Sequence, residues 1–120
     1  MRLIIAGSRS HRMTSDDFAA LDKLHAEHRF TLVLHGGAKG IDRDGDLWAL
    51  ARSIPRKRMA AEWERYGRAA GPLRNERMAQ EADALAVFDG GVGTLDMLTK
   101  AKARGLRVFD LRRFAIEGES

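Results

Sequence analysis

The chain has 120 residues, 44% hydrophobic and 32% charged, with no cysteine and a formal net charge of +4. That is one domain's worth of globular chain, without a disulfide framework, a thiolate nucleophile or a cysteine-ligated zinc site, and its expected home is the cytoplasm. The positive excess favours anionic ligands, but basic residues are scattered among acids and no lysine-rich tail exists, so composition does not mark a dedicated nucleic-acid binder.

Residues 3–6 (LIIA) are continuously apolar and stop at Gly7, which predicts a strand buried on both faces rather than a secretory signal. Neither this run nor residues 84–88 is long enough to cross a bilayer. Thr14 with Asp17 three residues on reads as a capping box opening a helix, whose Phe18, Ala20, Leu21 and Leu24 share a face. Residues 30–34 (FTLVL) predict the second strand. A helix over about 41–52 follows, burying Ile41, Leu47, Trp48 and Ala51 and broken at Pro55. Residues 56–59 (RKRM) predict a third strand, and their charges suit a sheet edge. Residues 61–71 read as a loop, Pro72 sits in the first turn of a helix ending near residue 82, and residues 84–88 (ALAVF) predict a buried strand. A last helix over about 95–104 buries Leu95, Leu98 and Ala101, carries Lys100, Lys102 and Arg104 at its C-terminus, and stops at Gly105. Residues 106–109 close the pattern, and residues 111–120 form a tail in which Phe114 and Ile116 are candidates to pack back. Strands alternating with helices predict a Rossmann-like α/β domain over residues 1–110, with a five-stranded parallel sheet between two helical layers.

Ligands in such sheets sit outside the carboxyl ends of the strands. The turns expected there are Gly7-Ser8-Arg9-Ser10, Gly36-Gly37-Ala38-Lys39-Gly40-Ile41-Asp42 and Asp89-Gly90-Gly91-Val92-Gly93-Thr94. Glycine lets a ligand approach main-chain N–H groups, and a following helix N-terminus favours phosphate. Thr94 is either a hydroxyl donor to an anion or an N-cap. Neither G-x-G-x-x-G after the first strand nor G-x-x-x-x-G-K-[ST] is present, which disfavours a nicotinamide dehydrogenase and a P-loop NTPase. Tyr66-Gly67-Arg68 and Arg74-Asn75 flank a helix start. An arginine in a first turn opposes the dipole, so Arg74 is expected to pair with an anion, or else with a nearby acid.

Four further groups leave alternatives open. Asp42 and Asp46, one turn apart, suit a ribose hydroxyl or a Mg²⁺ ion, although Asp42 also suits an N-cap. Asp89 either braces its own turn or accepts from ribose. His35 caps a turn or reaches the ligand, and His11 lies in a loop within reach of a phosphate. His25 and His28 lack a third metal ligand, so no metal site or cofactor is expected.

Together these motifs, with Trp63, Tyr66-Gly67-x-Ala69-x-Gly71 and Arg74-Asn75-x-x-Met78, resemble the YspA-type, cpYpsA-related branch of the SLOG superfamily, from residue 1 to about 110. The resemblance implies the sheet order 3-2-1-4-5, binding or sensing of a nucleotide or nucleotide-derived ligand, a phage or conflict-system context, and dimerisation. On that basis the amides of residues 36–40 (Gly36, Gly37, Ala38, Gly40) and 90–94 (Gly90, Gly91, Gly93, Thr94) would hold phosphate. Gly7, Ser8, Arg9, Arg74 and Asn75 would support it, Asp42 or Asp89 would contact ribose, and Trp63 or Tyr66 would cover the base. Arg74-Asn75-Glu76-Arg77-Met78 is also similar to the catalytic segment of LONELY GUY phosphoribohydrolases. For an enzyme cleaving or transferring at an N-glycosidic bond this implies Arg74 and Asp96 as catalytic residues. The chain departs there: Asp89 replaces a proline, and Met97 holds the glutamate position, with Asp96 about 100° away around the helix. Gly37-Ala38-Lys39-Gly40-Ile41-Asp42 is similar to a segment of the DprA proteins, which implies single-stranded nucleic acid as a further candidate partner. Large polar-tipped aromatics are few, Trp48, Trp63 and Tyr66, with Trp48 expected to be buried.

Overall fold

A computed structural model describes residues 1–113. The strands are β1 (Arg2–Ala6), β2 (Leu32–His35), β3 (Arg56–Arg58), β4 (Ala84–Val87) and β5 (Arg107–Asp110). The helices are α1 (Ser15–His28), α2 (Ile41–Ala51), α3 (Trp63–Tyr66), α4 (Ala70–Glu81) and α5 (Val92–Ala103), with a 3₁₀ turn at Gly67–Ala69. The strands form one parallel sheet in the order β3-β2-β1-β4-β5, so the strand order reverses between β1 and β4.

Side-chain alternation on β1 builds the three layers. Leu3 and Ile5 point to one face and pack with Leu21, Ile41, Trp48 and Phe109. Ile4 and Ala6 point to the other and pack with Leu34, Met78, Leu85, Met97 and Leu98. Burial on both faces is why β1 and β4 read as unbroken apolar runs. The RKR of β3 is exposed throughout, as suits its edge position. The capping box of α1 forms in both directions between Thr14 and Asp17, and Trp48 is buried with its Nε1 donating to Asp22. Among the described residues no helix is long and apolar enough to cross a membrane.

Several sequence expectations need correction. Residues 61–71 are not a loop: α3 and the 3₁₀ turn run into α4, which begins at Ala70. The indole of Trp63 lies over Gly71, 3.2 Å from where a Cβ would stand. Tertiary packing of this kind supports a four-residue helix that propensity alone would not. Pro72 remains in the first turn of α4, but Arg74 falls in the second. α5 begins three residues before the expected Leu95, which turns Leu95 outward at 50% exposure and buries Thr94 and Met97 instead. On α2 the buried set includes Asp42, Asp44, Gly45 and Ala49, whereas Leu47 and Ala51 are exposed. Phe114 and Ile116 lie outside the described residues.

Candidate functional site

The carboxyl ends of β1, β2 and β4 open onto a cleft of about 360 Å³ at the β1/β4 reversal. Its walls come from residues 5–10, from Gly36, Ala38 and Asp42, from Arg74, Asn75 and Met78, and from residues 91–94 with Met97. Ser8 stitches the three turns together. Its N–H donates to the Asp89 carbonyl at 2.9 Å, its carbonyl accepts from Ile41 N–H at 3.1 Å, and its Oγ accepts from Ser10 N–H at 3.0 Å.

The second turn does not offer its amides to a ligand as expected. Oδ2 of Asp42 accepts from Gly36 N–H at 3.1 Å and from Ala38 N–H at 3.3 Å, while Gly37 N–H donates to Nδ1 of His35 at 3.0 Å. All three donors of this half-buried turn are thus paired within the protein. Gly40, not Asp42, is the N-cap of α2. Asp42 is therefore a brace of this turn that also lines the cleft, and His35 caps the turn by accepting from Gly37 N–H. Asp46 lies outside this cleft, bonded to His35 and Arg56.

The third turn is different. α5 opens at Val92 with Gly91 as N-cap and no side-chain capping bond. Its first amides are the ones a helix cannot pair internally, and they carry the positive end of the dipole. Gly91, Val92, Gly93 and Thr94 all line the cleft. Thr94 is a buried residue within the first turn of α5, not its N-cap, and Gly90 packs against its side chain.

Arg74 crosses from α4 to the second turn. Its Nη1 donates to the carbonyls of Gly36 at 3.0 Å and Met59 at 3.2 Å, and its Nε donates to Oδ1 of Asn75 at 3.0 Å. The buried Asn75 donates in turn to Oδ2 of Asp96 at 2.9 Å and to the Gly93 carbonyl at 3.2 Å, and Lys100 holds Oδ1 of Asp96 at 2.6 Å. Asp96 thus lies behind Asn75 rather than in the cleft. Met97 faces the cleft, and Asp96 faces α4, where it accepts from Asn75 and Lys100. Burial lowers the guanidinium pKa of Arg74; Asp42 counters this, and Arg77 and Arg9 add to it. Burial raises the carboxyl pKa of Asp42, against the amides of Ala38 and Gly36 and the charge of Arg74. Two mutually repelling cations, Arg9 and Arg74, thus share a wall with one reluctant carboxylate, a field that an anion would relieve.

The remaining candidates are not gathered here. Trp63 is 53% exposed and Tyr66 39% exposed, and neither lines the cleft. Asp89 accepts from Arg113 N–H at 2.9 Å and lines a separate cavity with His11. Ser10 and Val92, from the turns expected to face the ligand, and Met78 and Met97, from the motifs of α4 and α5, complete the wall, although no ligand contact was assigned to their side chains. Met78 stands four residues after Arg74 on the same helix face.

Three comparisons bear on this architecture. The model of the YspA, cpYpsA-related SLOG family matches residues 1–66, which carry the first two turns. The Gene 61 protein of Mycobacterium phage D29 is 34% identical over 118 residues, covering 91% of this chain and 94% of that protein. The X-ray structure of DNA processing protein A (DprA) from Streptococcus pneumoniae superposes with a TM-score of 0.66 at 17% identity over 91% of this chain. The match takes in 49% of DprA, so the chain spans about half that protein's length, and the likeness is one of fold. With a family match over more than half its residues and a relative alike along nearly its whole length, the chain belongs to the YspA, cpYpsA-related SLOG family.

Proposed function

We propose that the chain binds a nucleotide or nucleotide-derived small molecule, with a phosphate seated on the amides that open α5 and facing Arg9 and Arg74. The observation that carries this reading is the uncapped N-terminus of α5, lined by Gly91, Val92 and Gly93, in a cleft that two arginines share. Helix N-termini of this kind bind phosphate through their free N–H groups and dipole. The second oxygen of Asp42 suits a sugar hydroxyl, because its partner oxygen already holds the turn. The apolar side chains of Met78, Met97 and Val92 suit a base, in the role first expected of Trp63 or Tyr66. A cleft of about 360 Å³ lies at the lower end of the usual range for small-ligand sites.

A thermal-shift screen of wild type and Arg74→Ala against nucleotides, cyclic nucleotides and ADP-ribose derivatives tests this. Ligand at a hundred times its dissociation constant stabilises the native state by about 2.7 kcal/mol. A shift that Arg74→Ala loses is the expected result; no shift with any nucleotide overturns the reading. A second reading, cleavage at an N-glycosidic bond, rests on the buried Asp42 rather than on Asp96, since Asp42 is the cleft's carboxylate. Base release from the bound ligand, lost in Asp42→Asn, would establish it; an intact ligand after prolonged incubation leaves binding alone.

A further inference from the structure

The Gly36-Gly37 pair separates two arginines. A Cβ on Gly36 would stand 2.2 Å from Nη1 of Arg74, and one on Gly37 would stand 2.2 Å from Nε of Arg58. The absence of side chains lets both guanidinium groups pack against a single turn. Arg74 lines the cleft described above. Arg58 lines a second cavity of about 550 Å³, and Ala38 belongs to the wall of both.

Charge in this second cavity is one-sided. Lys39, Arg43, Arg56 and Arg58 face a single carboxylate, Asp46. Asp46 is already engaged, with Arg56 at 2.8 Å and Nε2 of His35 at 2.7 Å. Lys39, Arg43 and Arg58 make no ion pair among the described residues. Cations collected around a concave surface with their one acid spent attract anions. Resting on the nucleotide reading of the first cleft, we propose that this second cavity receives a second phosphate group of the same ligand, the chain running over the turn at residues 36–38.

The sheet sets the spacing. The first phosphate sits beyond β4, and the second cavity lies beyond β2 and β3, two to three strands away. At about 4.8 Å per strand the anions stand roughly 10–14 Å apart at their anchoring strands, and long arginine side chains shorten that gap. A pyrophosphate is too short to reach; two phosphates separated by one or two nucleosides fit. A long single strand is the poorer occupant. Its capture needs stacking rings along a basic groove, and the one ring on this wall, His35, is buried and hydrogen-bonded through both nitrogens.

The test compares dissociation constants, for each common base, of the nucleoside 5′-monophosphate, the nucleoside 3′,5′-bisphosphate, and the dinucleotide phosphorylated at both ends. They are measured on wild type, Lys39→Ala/Arg43→Ala and Arg58→Ala. Lys39 and Arg43 are exposed, so their loss leaves folding intact. The expected result is a wild-type preference of roughly tenfold or more for a two-phosphate ligand, since charge-assisted contacts to phosphate are strong. The variants abolish the preference while monophosphate affinity stays unchanged. Equal affinity for one and two phosphates, or equal losses for both in the variants, overturns the proposal and leaves the first cleft standing. A long oligonucleotide that binds more tightly still, with steep salt dependence, overturns it in favour of a strand. If neither monophosphate nor two-phosphate ligands bind, the nucleotide reading falls too.

Discussion

Gly40 stands where three carbonyl oxygens converge: a Cβ there would lie 2.5 Å from the oxygen of Ser8, 2.6 Å from that of Arg9 and 2.7 Å from that of His11. Its φ of 72° with ψ of −124° is also a conformation that side-chain-bearing residues avoid. Backbone atoms cannot swing aside as a side-chain tip can. Gly40→Ala is therefore expected to lose about 1–3 kcal/mol to backbone strain before the collision is counted, read as a drop in urea midpoint. Gly36→Ala meets only the end of Arg74, so it should fold normally and weaken ligand binding. Two neighbouring acids make the opposite pair of predictions in pH. Burial works to raise the carboxyl pKa of Asp44, but hydrogen bonds from Arg12 and the Met13 amide outweigh it and hold the value low. Its stabilisation is present above the unfolded-state pKa and fades as pH falls. Asp44→Ala should cost about 1–3 kcal/mol at neutral pH by orphaning the buried Met13 N–H. Asp42 is shifted upward, so between its unfolded and folded pKa values the native state holds more protons than the unfolded state. Stability then falls as pH rises through that window. Asp42→Asn, which keeps an acceptor for Gly36 and Ala38, should gain on wild type across the same window in a pH series of melts. A constant difference would rule this out.

At the scale of elements, the proposed reading has α5 trade capping for a ligand. Gly91 has ordinary negative φ, and a Cβ on it meets nothing within 4 Å, so nothing steric demands glycine there. Gly91→Asp should cap the helix and complement its dipole, stabilising the unliganded protein by about 1 kcal/mol. The same carboxylate would occupy or repel the phosphate position. A higher melting temperature together with a lost ligand shift is the expected pair of observations; an undiminished ligand shift would place the phosphate elsewhere. This trade is also why the start of α5 was hard to read. Gly-Val-Gly has loop composition, whereas in the structure Thr94 and Met97 are buried and Met97 packs in the core with β1 and β4. By contrast the strands were legible, because a parallel strand buried on both faces leaves an unbroken apolar run, and α1 was legible because its capping box is local chemistry. The amides of residues 36–38 were misread for a non-local reason: the acceptor that satisfies two of them, Asp42, is set in place by α2 packing on the sheet.

Over the whole molecule, the fold brings three turns and α4 to one end of the sheet, at the point where strand order reverses. The net charge of +4 is small, so on the proposed reading the field that would hold a ligand is local, made by Arg9, Arg74 and the α5 dipole in a partly enclosed cleft. That distinction has a measurable consequence. Binding dominated by counterion release from a nucleic-acid strand falls by about 10³–10⁵ between 50 and 200 mM salt when six to ten phosphates are contacted. A small ligand held by partly buried charges is screened far less. Affinity for the best nucleotide, measured by calorimetry across that range, is accordingly expected to fall only a few-fold. Because Arg74 acts at short range, the residual affinity of Arg74→Ala should show nearly the same slope as wild type at every salt concentration. A steep wild-type slope that flattens in Lys39→Ala/Arg43→Ala would instead mean that the basic edge around β3 governs association, and that a long polyanion is the ligand the fold was built to hold.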